Sequence, residues 1–216
     1  MIRVRTGQAP AELLANQQKW TAFWQSHRPK QWAKPGAKKL LLAHVRLKSH
    51  GKCAFCESAL DISDFAQIEH YHAKTVYPHL VFDWANLFLA CAYCNTQKRN
   101  ADHAGVILKP DVDDGEQHFW FNPLTGELEA SSPRAAETIR ICELNRVGLC
   151  KERLRQYRLI ALLLHEFQKT GTLGKKSRQA AFKDLLSPCA EFKLVIRAAL
   201  PTKFAERDRQ KYHAAR

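Results

Sequence analysis

Two Cys-x-x-Cys pairs constrain this chain more than any other feature, because each pair lets one turn of backbone present two thiolates to a single ion. They are Cys53-Ala-Phe-Cys56 and Cys91-Ala-Tyr-Cys94. Together they supply the four sulfur ligands of a tetrahedral structural zinc site, which leaves no open position for an activated water. The spacing therefore predicts Zn²⁺ that holds the fold, with any chemistry left to the residues in between. The alternative is four unrelated buried cysteines.

Four polar residues between and just after the pairs could carry that chemistry: Glu69, His70, Asn86 and Asn95. A neutral imidazole, with an ordinary pKa of about 6.5, can take a proton from water if a neighbouring group fixes which ring nitrogen faces the water. Residues 68–71 have the pattern of a short strand, so we expect Asn86 to return beside it and face His70. The structural alternative is a packed core histidine, with both asparagines in turns or helix caps.

The residues after the last cysteine predict a helix that opens at Asn95. Lys98 and Arg99 follow three and four residues later, on the same helical face, where their side chains can reach a phosphate group. The expected local architecture is strand, loop, strand and helix around a zinc anchor.

The order of these residues resembles the HNH endonucleases, or ββα-metal nucleases, whose pattern runs CxxC, acid-His, Asn-Leu, CxxC-Asn and a nearby Lys. The resemblance implies that His70 is the general base and that Asn86 orients it. It also implies that Glu69 and Asn95 bind a divalent metal. Both offer oxygen ligands, which suit Mg²⁺ and do not exclude Mn²⁺, although Asp and a second His are more frequent at these positions. The implied activity is hydrolysis of nucleic-acid phosphodiester bonds, with DNA as the expected substrate.

Motifs outside the pairs extend the resemblance to the PtuB family, the HNH subunits of Septu-type antiphage systems. These motifs are Met1-Ile2-Arg3, Trp84-Ala85-Asn86-Leu87, Asn122-Pro123-Leu124-Thr125-Gly126-Glu127, Glu137-Thr138-Ile139 and Leu144-Asn145. The resemblance implies a bacterial defence nuclease that works with an ATPase subunit, PtuA. One departure is the segment after His70, where a proline is expected nearer the histidine.

The predicted fold class is α+β and mainly helical, with a zinc-stapled ββα-metal core flanked by N- and C-terminal helices. We predict a basic helical arm at 1–50, a nuclease core at 51–130 and a helical region at 131–216, all packed into one compact unit. Within them, apolar spacing predicts helices at 11–27 and 37–49.

Two further features of the C-terminal half can be predicted. Turn-forming residues predict loops with a hairpin at about 118–128. Ser132 and Asn145 are typical helix starts.

Positive charge is concentrated at the N-terminus. Residues 1–52 contain eleven Lys or Arg and one acidic residue, which gives +10 of the chain's net +13. Basic surface beside a nuclease centre favours a polyanionic substrate, since phosphate contacts release counterions. The predicted nucleic-acid contacts in this arm are Lys30, Lys34, Lys38 and Lys39. A solvated face or a docking surface for an acidic partner are the alternatives.

The chain is predicted to be cytoplasmic and not to associate with membranes. No apolar stretch approaches the roughly 20 residues that span a bilayer, and the N-terminus lacks the apolar core of a secretory signal. Two other function classes stay open. One is a catalytically inert, zinc-stapled nucleic-acid binder, and the other is a scaffold subunit whose C-terminal helices dock a partner.

Overall fold

The computed structural model describes residues 3–29, 31–60, 66–99, 102–169 and 190–199. Helices account for about half of these residues and the strands form two small sheets, so the fold is α+β. The helices are α1 (Ala11–His27), α2 (Pro35–Lys48), α3 (Ala92–Lys98), α4 (Gly115–His118), α5 (Pro133–Ile141), α6 (Val147–Lys169) and α7 (Lys193–Ala199). The strands are β1 (Gln67–His70), β2 (Leu87–Ala90), β3 (Phe119–Phe121) and β4 (Leu128–Ala130).

Strands β1 and β2 form an antiparallel pair that leads directly into α3. The register places Gln67 opposite Ala90 and His70 opposite Leu87. Every residue of β2 is buried, so this strand lies in the centre of the core. Two short 3₁₀ turns, at Pro78–Leu80 and Trp84–Asn86, occupy the connection between the two strands. The predicted order of strand, loop, strand and helix is therefore present.

Helix α3 begins at Ala92, three residues before the predicted start at Asn95. The difference arises at the N-cap, because the sulfur of Cys91 accepts a hydrogen bond from the backbone N–H of Cys94 at 3.3 Å. A residue that caps a helix through its side chain fixes where the helix starts. Asn95 consequently lies in the first turn and does not cap the helix.

The N-terminal arm packs into the same hydrophobic core as β1 and β2. Helix α1 buries Leu13 and Trp24, and α2 buries Leu41. Helix α1 lies against the first 3₁₀ turn, whereas α2 lies against both strands. The first predicted helix is confirmed, and the second starts at Pro35, two residues earlier than predicted. Proline is favourable there because the first helical N–H has no partner within the helix.

The hairpin of β3 and β4 is also confirmed, and its turn gives the motif at residues 122–127 a structural role. Asn122 Oδ1 accepts hydrogen bonds from two backbone N–H groups of the turn. Gly126 has a φ of +79°, and a Cβ there would lie 2.3 Å from the carbonyl oxygen of Cys150. Glycine is therefore required for the close approach of the hairpin to α6.

Helix α6 begins at Val147, after the predicted start at Asn145. The Asn145 side chain instead exchanges two hydrogen bonds of 2.8 Å with the backbone of Leu128, so it joins β4 to the beginning of α6. Leu159 and Leu162 are exposed on this helix. No helix within the described ranges is long and apolar enough to cross a membrane.

The last described segment packs on the loop that carries the first cysteine pair. Glu57 Oε2 accepts a hydrogen bond from the backbone N–H of Lys193 at 3.0 Å, at the start of α7. Lys52 Nζ donates to the carbonyl of Ala190 at 2.9 Å. Helices α6 and α7 share a small apolar cluster, formed by Ile160, Leu164 and Ile196. These contacts tie the C-terminal helices to the cysteine-bearing loop.

Candidate functional site

The four predicted zinc ligands converge in the structure. The sulfur atoms of Cys53, Cys56, Cys91 and Cys94 all lie within 4.8 Å of one another. Cys56 Sγ lies 3.9 Å from Cys91 Sγ, close to the separation of about 3.8 Å expected for tetrahedral Zn–S bonds of about 2.3 Å. The cluster could therefore hold a metal ion such as zinc. Among the described residues, no other group of three or more His, Cys, Asp or Glu side chains comes together in this way.

The surroundings of the cysteine cluster suit thiolates. Three of the four cysteines are buried, and Cys91 is half-buried. Arg146 Nη1 lies 3.9 Å from Cys94 Sγ, and its guanidinium group stacks on the ring of Tyr93 at 4.3 Å. A fixed positive charge offsets the negative charge of a four-thiolate metal site. Arg146, directly before α6, thus contributes to a cluster whose second cysteine pair lies about 50 residues earlier in the chain.

His70 lies at the end of β1 and is held by a backbone carbonyl. Its Nε2 lies 2.9 Å from the carbonyl oxygen of Val81. Because a carbonyl only accepts hydrogen bonds, Nε2 carries the ring hydrogen and Nδ1 carries the lone pair. Trp32 packs edge-on against the ring, with the centroids 4.6 Å apart. Burial, assisted by the positive charge of Lys74, lowers the pKa of His70 to about 3, so the ring is neutral at pH 7.

The side chain of Asn86 bonds to backbone atoms and not to the His70 ring. Its Oδ1 accepts from the N–H of His72 at 2.6 Å, and its Nδ2 donates to the carbonyls of His72 and Leu80 at 3.1 and 3.0 Å. Asn86 therefore joins the segment that follows β1 to the turn that carries Val81. The expected direct contact with His70 is replaced by an indirect one, in which Asn86 fixes the backbone that fixes the ring.

Lys98 is an internal ion-pair partner. Its side chain is completely buried, with Nζ 2.7 Å from Glu69 Oε1 and 3.0 Å from the carbonyl oxygen of His70. The prediction that Lys98 contacts a phosphate is wrong, because the ammonium group is shielded from solvent and already faces a carboxylate. Burial raises the pKa of Glu69, and the positive charge of Lys98 opposes that shift.

A cleft of about 410 Å³ brings three of the four predicted catalytic residues together. Glu69 and His70 of β1 line it, and so does Asn95 of α3. Asn95 Nδ2 donates a hydrogen bond to Gln67 Oε1, and Gln67 also lines the cleft. The oxygen atoms of a carboxylate and a carboxamide are ligands that a hard divalent cation accepts.

Basic side chains from three parts of the chain line the same cleft. Lys38 comes from α2, Lys74 follows β1, and Arg99 directly follows α3. Three cations face one carboxylate, Glu69, so the cleft has an excess of positive charge. Such a concave positive surface attracts a polyanion.

The arm lysines occupy different positions relative to this cleft. Lys38 is exposed and lines it. Lys34 and Lys39 are exposed but do not line it. Lys30 lies outside the described residues. Whether these side chains contact nucleic acid stays a prediction.

Four contributions to the cleft were not predicted: the Val81 carbonyl and the side chains of Gln67, Trp32 and Lys74. Strand alternation could have found Gln67, which precedes Glu69 by two residues and so shares its face of β1. The other three have no local signal, because they reach the site through turns and through the packing of the arm.

Two proteins named PtuB are similar in sequence to this chain. The chain is 31% identical over 150 residues to the Septu protein PtuB of Bacillus thuringiensis, a match that covers 68% of this chain and 56% of the relative. The chain is a homologue of PtuB. A second PtuB, from Bacillus mycoides (strain KBAB4), is 27% identical over 139 residues, or 49% of this chain and 47% of the relative. The matched region thus spans about half the length of each PtuB relative, and no family model matches the chain.

Proposed function

We propose that this chain is a metal-dependent HNH endonuclease that hydrolyses phosphodiester bonds in nucleic acid, with DNA as the expected substrate. One observation carries the proposal: a neutral, buried imidazole shares a positively charged cleft with a carboxylate and a carboxamide. A general base, oxygen ligands for a cation and positive charge for phosphate are the three requirements of such a reaction.

In the proposed reaction His70 takes a proton from the attacking water. The Val81 carbonyl holds Nε2–H, so Nδ1 is the atom that accepts the proton. The lowered pKa keeps the ring in its base form. The negative charge of a bound phosphodiester favours the imidazolium that forms after proton transfer, which compensates for the weak basicity of a buried ring. Asn86 and Trp32 keep the ring in place.

The oxygen donors of the cleft fit Mg²⁺ or Mn²⁺, and Glu69 and Asn95 would hold the ion. The ion would supply positive charge at the scissile phosphate and at the leaving 3′ oxygen. Lys38 and Arg99 line the same cleft and would bind neighbouring phosphates. The expected products carry 5′-phosphate and 3′-hydroxyl ends. We assign Zn²⁺ to the four cysteines, where a closed set of sulfur ligands gives the ion a structural role.

The enzyme proposal is tested by incubating the purified protein with plasmid DNA, single-stranded DNA and RNA in the presence of Mg²⁺ or Mn²⁺. His70→Ala should reduce cleavage by about 10²–10⁴-fold without loss of zinc. His79 is exposed in a turn outside the cleft, so His79→Ala should leave the cleavage rate unchanged. Equal cleavage by wild type and His70→Ala would contradict the proposal. No metal-dependent cleavage, either alone or with a coexpressed partner, would favour the inert nucleic-acid binder.

Homology to PtuB also supports a role in a Septu antiphage system, with a PtuA-like ATPase as partner. Leu159 and Leu162 are 44% and 63% exposed on α6, so this helix offers an apolar surface for docking. We expect Leu162→Glu to release the ATPase, whereas Leu14→Glu, at a position 62% exposed on α1, should not.

Coexpression with the neighbouring ATPase gene product, followed by size-exclusion chromatography, measures the association. Wild-type proteins that never comigrate, with or without nucleotide, would contradict the assembly.

A further inference from the structure

Gln67 lies beside the proposed metal ligands without belonging to them. It is half-buried, it precedes Glu69 by two residues on β1, and its side chain reaches α3. There its Oε1 accepts a hydrogen bond from Asn95 Nδ2. The two side chains line the cleft together with Glu69.

The direction of this hydrogen bond matters because a carboxamide has two different ends. Its oxygen can bind a cation, whereas its NH₂ group is a donor that a cation repels. The two ends are nearly equal in size, so packing alone does not select between them. In the structure the NH₂ group of Asn95 faces Gln67, and Oδ1 accepts no hydrogen bond from any residue that the structure describes.

We propose that Gln67 is a positioning residue that orients the Asn95 carboxamide so that Oδ1 is presented to the divalent cation. This inference rests on the proposed function, since it needs a cation held by Glu69 and Asn95. Groups that orient a metal ligand by hydrogen bonding typically contribute about 10–100-fold to metal affinity.

The chemistry of the pair defines a set of variants. Gln67→Met has a similar length but cannot accept the hydrogen bond, so it should weaken metal binding about tenfold. The carboxylate of Gln67→Glu can only accept hydrogen bonds, so this variant should retain metal binding. Asn95→Asp has oxygen at both positions and no NH₂ group to orient, so in that background Gln67→Met should change affinity by less than about twofold.

The test measures Mn²⁺ affinity by electron paramagnetic resonance of free Mn²⁺, on zinc-loaded protein without nucleic acid. The Mn²⁺ concentration for half-maximal cleavage should rise in parallel for Gln67→Met, whereas the rate at saturating Mn²⁺ should change by less than about threefold. Equal Mn²⁺ affinity of wild type and Gln67→Met would overturn the inference. So would a loss of Mn²⁺ affinity on Gln67→Met that is as large in the Asn95→Asp background as in the wild type. Wild-type protein that binds no Mn²⁺ and cleaves nothing would instead count against the proposed function.

Discussion

The cysteine cluster and the cleft both take residues from helix α3, yet they are completed in different ways. The cluster takes all four sulfur atoms from two segments of four residues each, one in a loop and one at the start of α3. The cleft takes Glu69 and His70 from β1, Asn95 from α3, and Trp32 and Lys38 from the arm. One site is determined by local spacing and the other by how distant elements pack.

The two regions are therefore suited to different roles: the cluster to holding the fold and the cleft to binding a substrate. A closed set of sulfur ligands gives a metal ion a structural role, whereas an open, charged cleft can admit a substrate. Lys98 connects the two regions, because it projects from the helix that carries Cys94 and pairs with Glu69 in the cleft. Apart from this link, the two regions should respond separately to substitution, salt and pH.

The largest effect is expected at the cysteine cluster. Cys94→Ser should lose zinc and unfold the chain, because structural zinc contributes about 10–16 kcal/mol of apparent binding free energy in small peptides. Zinc content and thermal unfolding measure the result. Cys150→Ser, at a half-buried cysteine outside the cluster, is the matched control and should keep the zinc content and the unfolding temperature of the wild type. A zinc-free but equally stable Cys94→Ser protein would show that the cysteine cluster does not support the fold.

The next largest effect is expected at Lys98. Lys98→Met leaves the buried carboxylate of Glu69 without its partner, and removal of one member of a buried ion pair costs about 3–5 kcal/mol. Urea unfolding of the zinc-loaded protein measures this loss. Arg99→Met, one residue further and exposed, should change stability by less than about 0.5 kcal/mol, and Glu69→Gln combined with Lys98→Met should recover part of the loss. Equal stability of Lys98→Met and wild type would show that the ion pair is not needed.

A smaller effect is expected for nucleic-acid binding at the cleft. In a His70→Ala background, Lys38→Glu should weaken binding to duplex DNA and reduce the slope of log affinity against log salt concentration by about 0.9, the contribution of one phosphate contact. Lys34→Glu, on the same arm but outside the cleft, should cause a smaller loss of affinity and a smaller reduction of the slope. If the two variants behave alike, the arm acts as a diffuse basic surface. If neither changes binding, the arm serves solubility or a partner.

The smallest effect is expected from pH. The pKa of His70 is lowered to about 3, so the ring stays in its base form at every higher pH. Cleavage at saturating metal and at substrate concentrations well below saturation should therefore stay level between about pH 6 and 8, because this rate reports the pKa of the free enzyme. An ordinary imidazole would be mostly protonated at about pH 6. A rate that is half-maximal near pH 6.5, with zinc content unchanged, would contradict the buried, neutral base.

The sequence predicted the convergence of the four cysteines, the helix α1, the β3–β4 hairpin and the residues Glu69, His70 and Asn95 that meet in the cleft. These features depend on short spacings, which the chain carries locally. Lys98 was predicted incorrectly because helical spacing says which residues share a face, and not whether that face is buried. The Val81 carbonyl could not be predicted, since a backbone group has no residue type to mark it.

In the proposed function, zinc supports the fold while a separate, weakly held ion supports cleavage. Brief EDTA treatment of one wild-type sample tests it directly, with zinc content, thermal unfolding and plasmid cleavage measured together. We expect cleavage to stop while stoichiometric zinc and the unfolding temperature are unchanged, and added Mg²⁺ to restore cleavage. Cleavage that declines in step with zinc content, and returns with Zn²⁺ but not with Mg²⁺, would contradict it.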